Sequence, residues 1–81
     1  MERVAIFPGS FDPFTRGHQA IVEEALRIFD RVVIAIGYNT AKRSLLSVDA
    51  RKELIERLYQ NDRRVEVTTY TTLTGDEARR V

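Results

Sequence analysis

With 81 residues the chain makes at most one small domain, and a domain of that size buries only about 60% of its unfolded surface. Hydrophobic residues at 43% and charged residues at 31% argue against disorder, and a net charge of +1 from 13 basic and 12 acidic side chains predicts no bulk attraction to nucleic acid or to a membrane. Cysteine is absent, so disulfides, thiolate metal sites and cysteine nucleophiles are excluded, and any anion site must come from local geometry.

Met1-Glu2-Arg3 is followed only by Val4-Ala5-Ile6-Phe7 before Pro8, which is no signal peptide, and no apolar run approaches the ~20 residues that span a bilayer. The cytoplasm is the expected compartment. The same run, Val4 to Phe7, reads as a strand buried on both faces and stopped by Pro8-Gly9. Pro8 to Gly17 is a structured loop rich in turn residues. From His18 to Asp30 the pattern becomes helical, with Ile21, Val22, Ala25, Leu26 and Phe29 on one face and a Glu23–Arg27 pair on another. Arg31 to Ile36 is a second buried strand ending at Gly37. Tyr38 to Ser47 is a polar, basic loop. Ser47 caps a second helix, one side of which carries Arg51, Leu54, Ile55 and Leu58, with Glu53 and Arg57 paired elsewhere. Arg64 to Tyr70 alternates, Val65 and Val67 against Glu66, Thr68 and Tyr70, as in a half-exposed edge strand. Thr74 opens a possible third helix, with Asp76 and Glu77 near its positive end.

Strands joined through helices pair in parallel with right-handed crossovers. The fold class is α/β: the first βαβαβ half of a Rossmann-like parallel sheet, with residues 1–81 forming the N-terminal part of a single domain. In the strand order 3-2-1-4-5 the first strand is central. With three strands, its apolar edge lacks a second neighbour and would be an aggregation hazard. The expectation is therefore a fragment of a longer protein or a chain that needs partners to cover that edge, and truncation is favoured.

The loop Pro8-Gly9-Ser10-Phe11-Asp12-Pro13-Phe14-Thr15-Arg16-Gly17-His18 lies where an α/β sheet binds its ligand, after a buried strand and at a helix start. Gly9 permits close backbone approach and Ser10 supplies a hydroxyl. Thr15 can cap the helix. Gly17 and His18 sit in its first turn, where free amides and the helix dipole favour phosphate, and His18 can donate to a phosphate oxygen as charge builds. The spacing is neither G-x-G-x-x-G nor a Walker loop. Asp12 could touch a metal or a ribose, or organise the turn through its own backbone; the last is favoured. Tyr38 is read as covering the sheet end. Lys42 and Arg43, in the loop after the second strand, can face the first loop across the carboxyl edge.

Pro-Gly-Ser-Phe-Asp-Pro-Phe-Thr-x-Gly-His resembles the signature loop of the bacterial phosphopantetheine adenylyltransferases, within the T/H-x-G-H nucleotidyltransferase superfamily. Relatives acting on glycerol phosphate, choline phosphate or nicotinamide mononucleotide usually carry His in place of Thr15. The likeness runs through the whole chain as the N-terminal half of that family: Ile-Phe-Asp-Arg-Val-Val-Ile-Ala-Ile, Asn-Thr-Ala-Lys, Arg-Lys-Glu-Leu-Ile and Val-Glu-Val.

The resemblance implies ATP and phosphopantetheine as substrates, Mg²⁺ as cofactor, and direct in-line attack that yields dephospho-coenzyme A and pyrophosphate. It makes His18 the transition-state stabiliser at the α-phosphate, and Ser10 and Lys42 the residues on the attacking phosphate. Gly9, Ser10, Phe11, Gly17 and His18 would line the ATP side, while Leu73 and Thr74 would meet the pantetheine arm. Assembly as a hexamer and feedback by coenzyme A are family-level expectations. The family's Arg-Gly-x-Arg and Ile-Ser-Ser segments are absent, and Gly75-Asp76-Glu77-Ala78 departs from the usual aliphatic-Asp-Phe-Ala, so this chain alone is expected to turn over little or not at all. Two alternatives stay open: another nucleotidyltransferase of the superfamily, such as a cytidylyltransferase, and a non-catalytic nucleotide-binding half-domain.

Overall fold

The computed structural model describes residues 1–39 and 46–71. The elements run β1 (Val4–Gly9), α1 (Arg16–Ile28), β2 (Arg31–Tyr38), α2 (Val48–Leu58) and β3 (Val65–Thr71). The third helix expected from Thr74 lies outside the described residues, as do Lys42, Arg43, Leu73 and Thr74.

The three strands form one parallel sheet in the order β1-β2-β3, so β2 is central and β1 has a single neighbour among the described residues, as the sequence predicts. Both crossovers step the same way across the sheet, and right-handed crossovers then lay both helices on one face. The core follows from this. Val22 of α1, Ile55 of α2 and Val32, Ile34 and Ile36 of β2 are fully buried, and Ala5, Phe7, Val65 and Val67 pack against them. Register aligns these residues in rows: Ala5 beside Val32 and Val65, Phe7 beside Ile34 and Val67. Each fully buried aliphatic side chain contributes about 1.5–3 kcal/mol.

The expectation that β1 is buried on both faces is corrected. Its burial alternates, with Val4 44% and Ile6 70% exposed. No described helix covers the side on which they lie. Pro8 and Gly9 extend the strand instead of stopping it, which an edge strand allows because a proline there need not donate to a second neighbour. On α2, Arg51 and Ile55 are buried as one face, but Leu54 and Leu58 stay about half exposed, and Val48 and Tyr59 pack inward in their place. The ion pair on α1 joins Arg27 to Glu24 (3.8 Å), one residue from the expected partner, while Arg57 and Glu53 pair at 2.7 Å as expected. Burial, with the charges of Glu23 and Asp62 behind it, raises the Tyr59 phenol above its ordinary range. Hydrogen bonds from the Arg64 side chain and backbone hold Asp62 below the usual carboxylate range, in the turn that starts β3.

Parallel strands bring their carboxyl ends to one edge. The loop after β1, the chain leaving β2 at Tyr38 and the chain leaving β3 at Thr71 all depart from it. No described helix is long and apolar enough to cross a membrane.

Candidate functional site

Between β1 and α1 the chain makes a short loop anchored by an aromatic ring. Phe11 is only 2% exposed and joins the hydrophobic core, and its backbone has φ 49°, in the left-handed region that side chains rarely adopt. Gly9 makes room for this ring. A β-carbon at Gly9 would stand 2.9 Å from Phe11 Cζ, closer than real contacts allow. The Phe11 ring meets Phe7 edge-on at 5.0 Å and His18 edge-on at 5.0 Å, while Phe14 lies 5.3 Å from His18. Three aromatic rings thus hold the imidazole at the start of α1.

Hydrogen bonds then fix which way it faces. Thr15 is the N-cap of α1, and its hydroxyl oxygen accepts from the His18 N–H at 3.4 Å. In return the Thr15 backbone N–H donates to His18 Nδ1 at 2.9 Å. This is a capping box with histidine at the position where Glu or Gln usually stands. Because Nδ1 accepts, the neutral ring carries its proton on Nε2, and that donor has no acceptor among the described residues. The first turn of α1 holds no acidic side chain, whereas that of α2 holds Asp49. The positive end of the α1 dipole is therefore not neutralised from within its own first turn. Thr15→Ala removes the cap, and equilibrium denaturation should show a loss of about 1 kcal/mol.

Gly17 sits in that same turn, where glycine lowers helix propensity by about 1 kcal/mol relative to Ala. A β-carbon there would meet only Thr15 Oγ1, at an ordinary 3.6 Å. Packing within the described residues gives no reason for a glycine at this place; close approach of a ligand would. Ser10 is exposed at the strand end, and Tyr38 is half-buried at the end of β2.

Two contacts tie this loop to α2, and neither was read from the sequence. Arg51, 4% exposed, donates from Nη1 to the Ser10 carbonyl at 2.7 Å. Asp12 accepts from the Leu46 N–H at 2.9 Å, so its carboxylate braces the segment that leads into α2. An arginine inside an otherwise apolar helix face was the available signal for the first; the second, spanning 34 residues, had none. The structure thus brings Gly9, Ser10, Phe11, Gly17 and His18 together, while Lys42, Leu73 and Thr74 fall outside the described residues. Among the described residues no three His, Asp or Glu side chains gather where they could hold a metal ion.

The chain is 53% identical over 78 residues to the phosphopantetheine adenylyltransferase of Porphyromonas gingivalis, covering 96% of this chain and 51% of that protein. It is 49% identical over 79 residues to the one from Anaeromyxobacter sp. (strain K), covering 98% and 48%. The chain therefore spans about half the length of the curated relatives it matches. A bifunctional NMN adenylyltransferase/ADP ribose pyrophosphatase from Francisella tularensis superposes with a TM-score of 0.82 at 26% identity, over 98% of this chain and 25% of that one. The NadR protein in complex with NAD and AMP-PNP superposes at 0.81 over 91% of this chain and 22% of its own; at 17% identity that is a likeness of fold alone. These neighbours share the Rossmann-like nucleotidyltransferase fold. The Cytidylyltransferase-like family profile matches residues 6–80, and the chain belongs to that family.

Proposed function

We propose that the protein carrying this chain transfers the adenylyl group of ATP to phosphopantetheine. The observation that carries the reading is His18: its Nδ1 is occupied by the Thr15 N–H, its Nε2–H has no acceptor among the described residues, and it stands at a helix start without an acidic residue in the first turn. A phosphate oxygen of phosphopantetheine attacks the α-phosphorus of ATP, the bond to the β-phosphate oxygen breaks, and pyrophosphate leaves with that electron pair. The products are dephospho-coenzyme A and pyrophosphate. Nothing covalent forms on the protein, whose task is to position two anions and stabilise the charge that develops between them.

In this reading His18 Nε2–H meets the α-phosphate in the transition state, and Ser10 with Lys42 receives the attacking phosphate. Gly9, Phe11 and Gly17 line the ATP side with backbone, and Leu73 and Thr74 meet the pantetheine arm. Magnesium, the cofactor the resemblance implies, finds no group of three His, Asp or Glu ligands among the described residues. A cytoplasmic homo-hexamer completes the proposal, on resemblance alone.

The test is pyrophosphate release by the intact protein with ATP and phosphopantetheine, against CTP and against other phosphorylated acceptors. The reading expects release only with the first pair. Equal or faster release with CTP would move the assignment to a cytidylyltransferase, and no release with any pair would leave a binding module.

A further inference from the structure

The buried arginine is the feature that the site as described leaves unused. Arg51 is 4% exposed and forms no ion pair with a described residue. Burying a cation without a carboxylate partner is unfavourable. Its hydrogen bonds go to two carbonyls instead: Nε to Ser47 at 3.3 Å, on its own helix, and Nη1 to Ser10 at 2.7 Å, in the loop after β1. The first bond aims the guanidinium and the second is the longer reach, linking positions 41 apart in sequence. A charge-assisted bond to one carbonyl of a ligand loop points to a role for that peptide's orientation.

The peptide concerned joins Ser10 to Phe11, and its geometry is constrained. The bond is trans, the one cis bond among the described residues being Asp12–Pro13. In a trans peptide the C=O and N–H point in opposite directions. With the Ser10 oxygen drawn down onto Arg51, the Phe11 N–H points up and away from α2. No hydrogen bond among the described residues takes up that N–H. Phe11 itself is in the left-handed conformation, which commonly accompanies a concave, anion-binding run of backbone amides. Were this peptide reversed, the Ser10 oxygen would replace the amide and repel any phosphate placed there.

We infer that Arg51 is a positioning residue: by pinning the Ser10 carbonyl it turns the Phe11 N–H outward as an oxyanion donor for the polyphosphate chain of the nucleotide. The buried positive charge also lies beneath the loop, where it favours an anion above. The identity of the anion as a nucleotide polyphosphate rests on the adenylyl-transfer reading; the donor's orientation does not.

The test uses the intact protein labelled with ¹⁵N-phenylalanine, the Phe11 amide being assigned through Phe11→Leu, and inorganic triphosphate as the probe. In the wild type, triphosphate should move the Phe11 amide proton downfield. Arg51→Met keeps a long apolar stem but no donor; it should suppress that shift and weaken triphosphate binding about tenfold, the scale of one lost charge-assisted bond. Arg51→Lys, whose ammonium can still donate to a carbonyl, should restore part of both. A purely structural arginine predicts otherwise, namely that folded Arg51→Met binds triphosphate as the wild type does. That result, or a Phe11 amide unmoved by triphosphate in the wild type, overturns the inference. Should Arg51→Met not fold, the wild-type shift and the partial response of Arg51→Lys decide the matter. A Phe11 response that depends on Arg51, in a protein that does not adenylate phosphopantetheine, supports the inference while removing the functional reading.

Discussion

His18→Ala should lower kcat for pyrophosphate release by about 10²–10³-fold, the scale of losing one preorganised donor to a developing oxyanion. The KM for ATP should change far less, because a donor used mainly in the transition state leaves ground-state binding to the rest of the site. The side chain is held from four directions. Phe7, Phe11 and Phe14 surround the ring, and the Thr15 N–H donates to Nδ1 at 2.9 Å. Its substitution also leaves the Thr15 amide without that acceptor, so a modest drop in melting temperature should accompany the kinetic loss. Steady-state kinetics beside a thermal melt separate the two effects. A His18→Ala protein that is folded and retains kcat would overturn the role given to His18 in the transition state.

Phe11→Ala should have the largest effect on stability, about 3–5 kcal/mol in urea denaturation, as expected for deleting a buried aromatic side chain. The ring is 2% exposed, belongs to the core with Val22, Val32, Ile34, Ile36 and Ile55, and touches Phe7, Phe14 and His18. Against a typical domain stability of about 5–15 kcal/mol, such a loss leaves a substantial unfolded population. Alanine relieves no backbone strain, since its β-carbon makes the left-handed conformation as unfavourable as before. Phe11→Leu, which refills much of the volume, should lose less than half as much. If Phe11→Ala and Phe11→Leu were equally stable to urea, the ring would not be the anchor that ties the loop to the core.

The repeated order of strand and helix was legible because each element carries its own period. Val32 to Ile36 is an unbroken apolar run and lies in the central strand; Val65 and Val67 alternate with polar residues and lie at an edge. Ser47 and Thr15 cap helices where their side-chain oxygens predict it. The site's place was legible for the same reason: a Pro-Gly loop after an apolar strand marks the carboxyl edge of such a sheet. The Thr15-x-x-His18 spacing matches that of a capping box, so the bond to Nδ1 could have been anticipated from it.

Other features depended on contacts between distant positions. That β1 has one exposed face follows from both helices lying on the other face, which no residue of Val4–Gly9 encodes. Leu54 and Leu58 fit the apolar period of α2 yet stay at the surface, because Val48 and Tyr59 fill the space beside the sheet.

Local chemistry, acting over three or four residues, dictated the elements, their caps and the position of the loop after β1. Long-range packing settled the rest: the left-handed turn at Phe11, the room left for it by Gly9, and the grip of Arg51 on Ser10 across 41 positions. The physical reason is that a hydrogen bond or a ring contact needs only proximity in space, and a chain of this kind brings residues from separate elements together at the sheet edge once it has folded.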